Sequence, residues 1–236
     1  MTSPAPLARE QLDALRALDT PTVCNALEVV APERRGAGYT IHPLVCAWPE
    51  LAPIVGYART ATIRAAHPSG RAATDDLALR LSYYRHVAEQ PGPTVTVIED
   101  LDDPPGYGAW WGEVHTHVHR GLGSAGVVTN GSIRDLPVNA EGFQLLAGAV
   151  GPSHAYVHLV GVAVPVTVAG MTVHPGDLLH ADRHGAVVVP HAAAAKLVDA
   201  AARIARQEAT LIEASKQPDF DLEVLEQILT GGGGQH

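Results

Sequence analysis

The stretch Gly112 to Asp135, GEVHTHVHRGLGSAGVVTNGSIRD, carries a helix pattern, a strand pattern and a turn in immediate succession. Such a succession commits the chain to layering helices on a sheet. Glu113 to Leu122 fits a short helix, Gly126 to Thr129 is a glycine-bounded apolar run of strand type, and Asn130-Gly131 is a turn signal. Arg134 and Asp135 then follow a strand end on a loop, the place where ligands bind in open α/β sheets. Twenty residues separate Glu113 from Arg134. That is enough chain for the helix and strand to fold back and unite Glu113, Arg134 and Asp135 at one site.

Around this stretch helix and strand patterns alternate. Leu7 to Leu18 has helical spacing, and Thr20-Pro21 predicts an N-cap and first-turn proline for a second helix through Glu28. Ala31 to Pro53 reads as a long loop, Ile54 to Ile63 as a strand, Arg71 to Gln90 as a helix and Thr94 to Ile98 as a strand. Beyond Asp135, the pattern predicts a short helix over Leu136 to Leu146, then strands at Ala155 to Val160 and Val162 to Val168. Short hairpin strands follow at Thr172-Val173, Leu178 to His180 and Ala186 to Val189. Pro190 opens an Ala-rich helix to about Lys216, Asp219 caps a last helix to Leu229, and residues 231–236 read as a flexible tail. The expectation is one α/β domain over residues 1–230, a sandwich with helices at both ends rather than a purely parallel sheet.

Composition excludes several classes of function. A formal net charge of −9 and the lack of any basic run argue against a nucleic-acid partner, which needs clustered Lys and Arg. No apolar stretch approaches the length of a bilayer span and the N-terminus lacks a secretion-signal pattern, so no membrane is expected and a cytoplasmic setting is the default. Cys24 and Cys46 are too few for a disulfide framework and read as small buried hydrophobes.

The run GVVTNGSIRD, preceded by Gly112-Glu113 and followed by VPVTVAGMTVHPGDLLHADRHGAVVVP, resembles a known family. It contains the 4-hydroxy-4-methyl-2-oxoglutarate aldolases and the regulator of ribonuclease E activity A, and the resemblance extends over roughly Thr20 to Ala205. Its aldolase branch is marked by an acid, twenty intervening residues and Arg-Asp, supplied here by Glu113 and Arg134-Asp135. The resemblance implies a swivelling-type α/β sandwich domain (RraA-like) with N- and C-terminal helices, assembled as a homotrimer or a dimer of trimers with sites between subunits. It also implies a divalent metal held by Asp135 and Glu113, and an arginine, Arg134, that binds the pyruvyl part of a small 2-oxo acid. Where the aldolase pattern often carries a further acid, this chain has Leu136, Pro137, Val138 and Asn139; Glu141 is the first acid available.

The chemistry needs these residue types. Retro-aldol cleavage of a 4-hydroxy-2-oxo acid and decarboxylation of oxaloacetate both pass through pyruvate enolate, whose oxyanion must be stabilised. A Lewis acid held by carboxylates answers that need, and oxygen ligands favour Mg²⁺ or Mn²⁺. Arg134 offers a planar fork and a permanent charge, and the amides of Gly112, Glu113, Val114 and His115 at a helix start can bind a carboxylate. Gly112 lets substrate approach the backbone closely. The rival Schiff-base route needs a desolvated lysine, and the two lysines, Lys196 and Lys216, both fall on the C-terminal helix. Readings from other classes are a non-catalytic regulator that binds a ribonuclease and a sugar-acid dehydratase on the same metal site.

Other signals weigh less. Only His115 and His119 of the HTHVH run share a helical face, and no zinc-peptidase acid accompanies them. His154 and His158 are expected on one strand face with Tyr156, His180 to His184 in a turn, and Trp110-Trp111 in the core or at an interface. Gly121, Gly123 and Gly126 spell GxGxxG ahead of a strand rather than after one, which rejects dinucleotide binding.

Overall fold

The computed structural model describes residues 5–231. Helices α1 (Arg9–Arg16) and α2 (Thr20–Val30) open the chain. The cap of α2 lies one residue before the expected Thr20: the Asp19 carboxylate accepts the Thr22 amide at 2.8 Å, and Pro21 stands in the first turn. The long loop expected over residues 31–53 holds a 3-10 turn at Pro32–Arg34 and the two-residue strand β1 (Val45–Cys46).

Strand β2 (Ile54–Arg64) is the spine of the sheet, with ten of its eleven residues buried. It pairs in parallel with β3 (Thr94–Asp100), reached through helix α3 (Ala73–Ala88). After β4 (Ala109–Trp111) come helix α4 (Glu113–Gly121), β5 (Ser124–Thr129), β6 (Ser132–Ile133), β7 (Gln144–Ala147) and β8 (Ala149–Val150). β5 lies parallel between β3 and β7, so β2, β3, β5 and β7 form a parallel block; α3 and α4 lie in the crossovers from β2 to β3 and from β3 to β5, and β6 with a 3-10 turn in that from β5 to β7. Antiparallel strands flank it: β9 (His158–Val162) and β12 (Leu178–Asp182) share the other side of β2, and β13 (Gly185–Val189) pairs with β12. β10 (Val166–Val168) and β11 (Met171–Val173) make a separate hairpin, and β4, β6 and β8 form a small parallel sheet. Helices α5 (His191–Ser215) and α6 (Leu222–Gly231) close the chain.

The apolar core divides by layer. Leu15, Val23, Leu27 and Leu197 pack α1, α2 and α5 on one face of the sheet. Ala193, Ala194, Leu197, Ala200 and Ala201 recur at helical spacing on the buried side of α5, and their small size lets the helix lie close. On another side Tyr83, Trp110, Trp111, Ile133, Phe143 and Leu145 bury α3, α4 and the small sheet, so the tryptophans are core residues as expected.

Four expectations are corrected. Leu136 to Leu146 is not a helix: only Leu136–Val138 turn, as 3-10, and Gln144–Ala147 is strand β7, buried at every position between neighbours. A short apolar run fits a buried parallel strand as well as a helix, and periodicity cannot separate them. The segment Ala155 to Val160 enters β9 only at His158, because Ala155 adopts φ +46° and bends the chain. Val162 to Val168 is likewise broken by Ala163 at φ +55°. Finally, Asp221 rather than Asp219 caps α6, accepting the Val224 amide at 2.9 Å. The expected tail lies outside the described residues apart from Gly231, where α6 ends.

Candidate active site

β5 leaves the parallel block at Thr129, and the Asn130-Gly131 turn leads to β6, which aligns with β4 through the pair Trp111 and Ile133. Asn130 holds this corner by accepting the Asp100 amide at 2.8 Å and donating to the Asp100 carbonyl at 2.9 Å. The Arg134 amide then donates to the Trp111 carbonyl at 2.9 Å. Two chain ends separated by a helix and a strand are thereby laid side by side: Gly112-Glu113 at the start of α4 and Arg134-Asp135 after β6.

Gly112 occupies the N-cap of α4 and has no side chain with which to cap it. Asp135 does so from the neighbouring loop: its carboxylate accepts the Glu113 amide at 3.3 Å. Asp135 reaches that position with φ +57°, a left-handed conformation that aspartate tolerates better than most residues. A Cβ at position 112 would stand 2.5 Å from Asp135 Oδ2 and 3.2 Å from Arg134 Cγ. Glycine is thus needed for close approach, and the group approaching it in this structure is the Asp135 carboxylate. Arg134 Nε lies 3.7 Å from the same carboxylate, and both side chains are about a third exposed. Val114 and His115, in the first turn, keep amides without an intrahelical acceptor.

Asn139 stands where an additional acid was sought. Its side-chain nitrogen donates to the Arg134 carbonyl at 3.0 Å and its oxygen lies 3.2 Å from the Thr116 hydroxyl. That hydroxyl also meets the Glu113 carbonyl at 2.9 Å and accepts the Ala140 amide at 3.0 Å. Asn139 therefore ties the Arg134 loop to the first turn of α4. Glu141 is exposed on a turn.

Beside these residues opens a cavity of about 510 Å³ lined by Arg134, Val114, His115, Arg80, His154 and His158, with Trp110 and Tyr156 among its walls. His154 and Tyr156 reach it from the bend before β9 and His158 from the first position of that strand, so the three do not share one strand face. Asp76 is the acid in the lining, and it is already bound by the Ser69 hydroxyl at 2.6 Å and Arg71 Nε at 2.7 Å. The cavity is therefore basic. Arg80 comes from α3, far in sequence from the central stretch, and nothing in the local pattern marked it.

The histidines of α4 have separate roles. His119 is buried: Nδ1 donates to the His115 carbonyl and Nε2 accepts the Tyr83 hydroxyl, both at 2.6 Å. Burial pushes its pKa down to about 3. His115 packs on Trp110 with ring centroids 4.4 Å apart, and its Nδ1 is buried without a partner. Burial first, then the Arg80 and Arg134 charges, lower His115 to about 4, so it faces the cavity neutral. His117 is exposed. His180 is not a turn residue: it is buried in β12, bonded to the Thr20 hydroxyl at 3.0 Å and to the Leu15 and Leu18 carbonyls.

Among the described residues no group of three or more His, Cys, Asp and Glu converges on one point. Glu113 and Asp135 offer carboxylate oxygens from adjoining backbone positions, which suits a hard cation that keeps part of its water shell. Lys196 and Lys216 are both exposed at the far end of the chain.

A family model described as RraA-like, Aldolase/RraA, matches residues 13–188. The chain belongs to the RraA-like family. Two proteins named provisionally as 4-hydroxy-4-methyl-2-oxoglutarate aldolase are similar over shorter stretches. The one from Ectopseudomonas mendocina is 42% identical over 74 residues, 30% of this chain, and the one from Pseudomonas fluorescens 40% over 72 residues, 29% of this chain. The matched segments span 44% and 43% of those relatives' own lengths. Among solved structures, an uncharacterized protein from Pseudomonas syringae pv. tomato superposes with a TM-score of 0.68 at 26% identity, covering 95% of this chain and 98% of that one. RraAS2 of Streptomyces coelicolor, described as an unusual member of the RNase ES inhibitor RraA protein family, gives 0.67 at 24% identity, covering 88% and 98%, and shares the fold. The mixed α/β architecture with terminal helices is thus that of RraA-like proteins. No described helix is long and apolar enough to cross a membrane.

Proposed function

We propose that this RraA-like chain is a divalent-metal-dependent lyase that cleaves a carbon–carbon bond in a small 2-oxo acid, such as 4-hydroxy-4-methyl-2-oxoglutarate or oxaloacetate, through pyruvate enolate. The observation that carries this reading is the junction of Arg134 and Asp135 with the backbone of Glu113, beside a basic cavity of about 510 Å³ that Arg134 lines. Asp135 and Glu113 would hold the metal, Mg²⁺ or Mn²⁺. When bound, such an ion supplies Lewis-acid polarisation of the 2-oxo group.

The chain's own residues do the rest. The Arg134 fork pairs with the carboxylate and keto oxygens of the pyruvyl portion, and its fixed charge favours the enolate over the neutral ketone. Free amides of Val114 and His115 bind carboxylate at the start of α4, where the helix dipole favours negative charge. Gly112 keeps Asp135 against that helix end. Neutral His115, packed on Trp110, donates or accepts a hydrogen bond without adding charge. The same reading carries a homotrimer or a dimer of trimers, which light scattering on the eluting protein tests.

A coupled assay for pyruvate release, with and without Mg²⁺, over a panel of 2-oxo acids tests the proposal. Metal-dependent release from at least one of them is expected. Absence of turnover across the panel with either Mg²⁺ or Mn²⁺ would sink it and turn attention to the RNase-inhibitor role that the RraA family carries in the name of its Streptomyces coelicolor member.

A further inference from the structure

One cation on the cavity beside Arg134 has no charge to balance it. Arg134 itself lies 3.7 Å from the Asp135 carboxylate. Arg80, which reaches the cavity from α3, has neither an ion pair nor a side-chain hydrogen bond among the described residues, and it is exposed, so its guanidinium is free to meet a solute. The carboxylate placed to neutralise it is Asp76, four residues earlier on the same helix and in the same lining. That carboxylate is committed elsewhere: it accepts from the Ser69 hydroxyl at 2.6 Å and from Arg71 Nε at 2.7 Å. Arg71 offsets the charge of Asp76, and Arg80 is left over.

Arg80 and Arg134 serve one stretch of the cavity. His115 stands near both, since after burial it is the Arg80 and Arg134 charges that lower its pKa. Two more imidazoles complete the polar wall. His154 Nδ1 donates to the Ala155 carbonyl at 2.7 Å and His158 Nδ1 to the Tyr156 carbonyl at 2.8 Å, which leaves Nε2 of each ring for a ligand. On the lyase reading, which this inference rests on, the pyruvyl portion of the substrate sits at Arg134. A cavity of about 510 Å³ then leaves most of its space to whatever is attached beyond that portion. An alkyl group there would cover Arg80 without pairing it. A carboxylate would meet the guanidinium fork with two parallel hydrogen bonds.

We propose that Arg80 is the specificity-determining residue of this site: its guanidinium pairs with a second carboxylate at the distal end of the 2-oxo acid, so the chain selects dianionic over monoanionic substrates. Calorimetric titration of the full chain with 2-oxoglutarate and with 2-oxopentanoate, at constant ionic strength and in excess Mg²⁺, tests it. The two acids share a five-carbon chain and differ in ending on a carboxylate or a methyl group. 2-Oxoglutarate is expected to bind at least about tenfold more tightly, the worth of a hydrogen-bonded charge pair.

In Arg80→Gln that preference should collapse through weaker binding of 2-oxoglutarate, and Arg80→Lys, which keeps the charge but not the fork, should retain part of it. Arg85→Gln removes an exposed cation of the same helix that does not line the cavity, and should leave the preference intact. Arg80 makes no bond that holds α3 in place, so the melting temperature of Arg80→Gln should match that of the parent. Equal binding of the two acids, binding of neither, or a preference that survives Arg80→Gln would overturn the proposal. A preference lost equally in Arg85→Gln would overturn it too, because the general field of α3 would then be responsible. Arg134→Gln should weaken both acids alike. If both bind equally and both weaken in Arg134→Gln, the role of Arg80 falls and the pyruvyl site stands. If the preference follows Arg80 but no 2-oxo acid releases pyruvate, the lyase reading falls and the role of Arg80 stands.

Discussion

The Asp135 carboxylate accepts the Glu113 amide across the space left by the missing side chain of Gly112. One aspartate thus serves two ends, closing the first turn of α4 and presenting carboxylate oxygen beside Glu113. Asp135→Ala removes both. A cap is worth about 1 kcal/mol, which for a domain of this size moves the melting temperature by only about 2–4 °C. Metal-dependent pyruvate release is expected to vanish while the protein still melts as one cooperative unit. Retained turnover would remove this site from consideration.

Gly112→Ala probes the same contact from the other side. The added methyl would stand 2.5 Å from Asp135 Oδ2, so the carboxylate must swing away although φ at this residue is extended and tolerates any side chain. The expected result is a drop of about tenfold or more in kcat/KM, since misplacement by an ångström costs that much or more. Far-ultraviolet circular dichroism should be unaltered. A variant as active as the parent would show that the close approach has no part in turnover.

Much of this site was legible in the chain itself. The helix over Glu113, the strand before Asn130 and the turn between strand and Arg134 all carry strong local signals, and their order leaves few ways to fold back. Arg80 was not legible, because its place at the cavity follows from α3 crossing the sheet, a tertiary fact without a local pattern. Asn139 was read as the absence of an acid; its actual work, bonding Arg134 and Thr116, depends on a loop that periodicity rendered as helix. The buried strands failed for a related reason: Gln144–Ala147 is buried on both faces, so it shows no alternation to read.

Buried neutral histidines make stability depend on pH. His119 and His115 titrate at about 3 and about 4 in the folded chain, mainly because burial disfavours the imidazolium, against 6.5 when exposed. Burial shifts His180 in the same direction. The unfolded chain therefore takes up protons first, so stability is full above pH 6.5 and falls as pH drops from there toward 4. A fully shifted histidine contributes a slope of about 1.4 kcal/mol per pH unit, with a smaller share from His115, which sits nearer solvent. Urea midpoints at pH 7, 6 and 5 should decline accordingly, and His119→Gln should flatten the decline. Midpoints that rise on acidification would contradict the assignment of neutral buried imidazoles.

Asn139→Asp tests whether the absent acid is a defect or an adaptation. In aldolases of the resembling branch an acid often follows Arg-Asp, and on that pattern alone the substitution would raise activity. The geometry argues otherwise. Asn139 donates its side-chain N–H to the Arg134 carbonyl at 3.0 Å, and an aspartate offers only acceptors there, placing carboxylate against carbonyl oxygen. The loop must shift to relieve that repulsion, carrying Arg134 out of line with the Asp135 contact. A fall in kcat/KM of about tenfold is expected, consistent with losing a hydrogen bond and leaving an unsatisfied acceptor. Asn139→Gln, which retains a donor on a longer arm, should lose less. If Asn139→Asp instead raises metal-dependent turnover, the asparagine stands in a position that a metal-binding acid can fill, and its structural bond to Arg134 is dispensable.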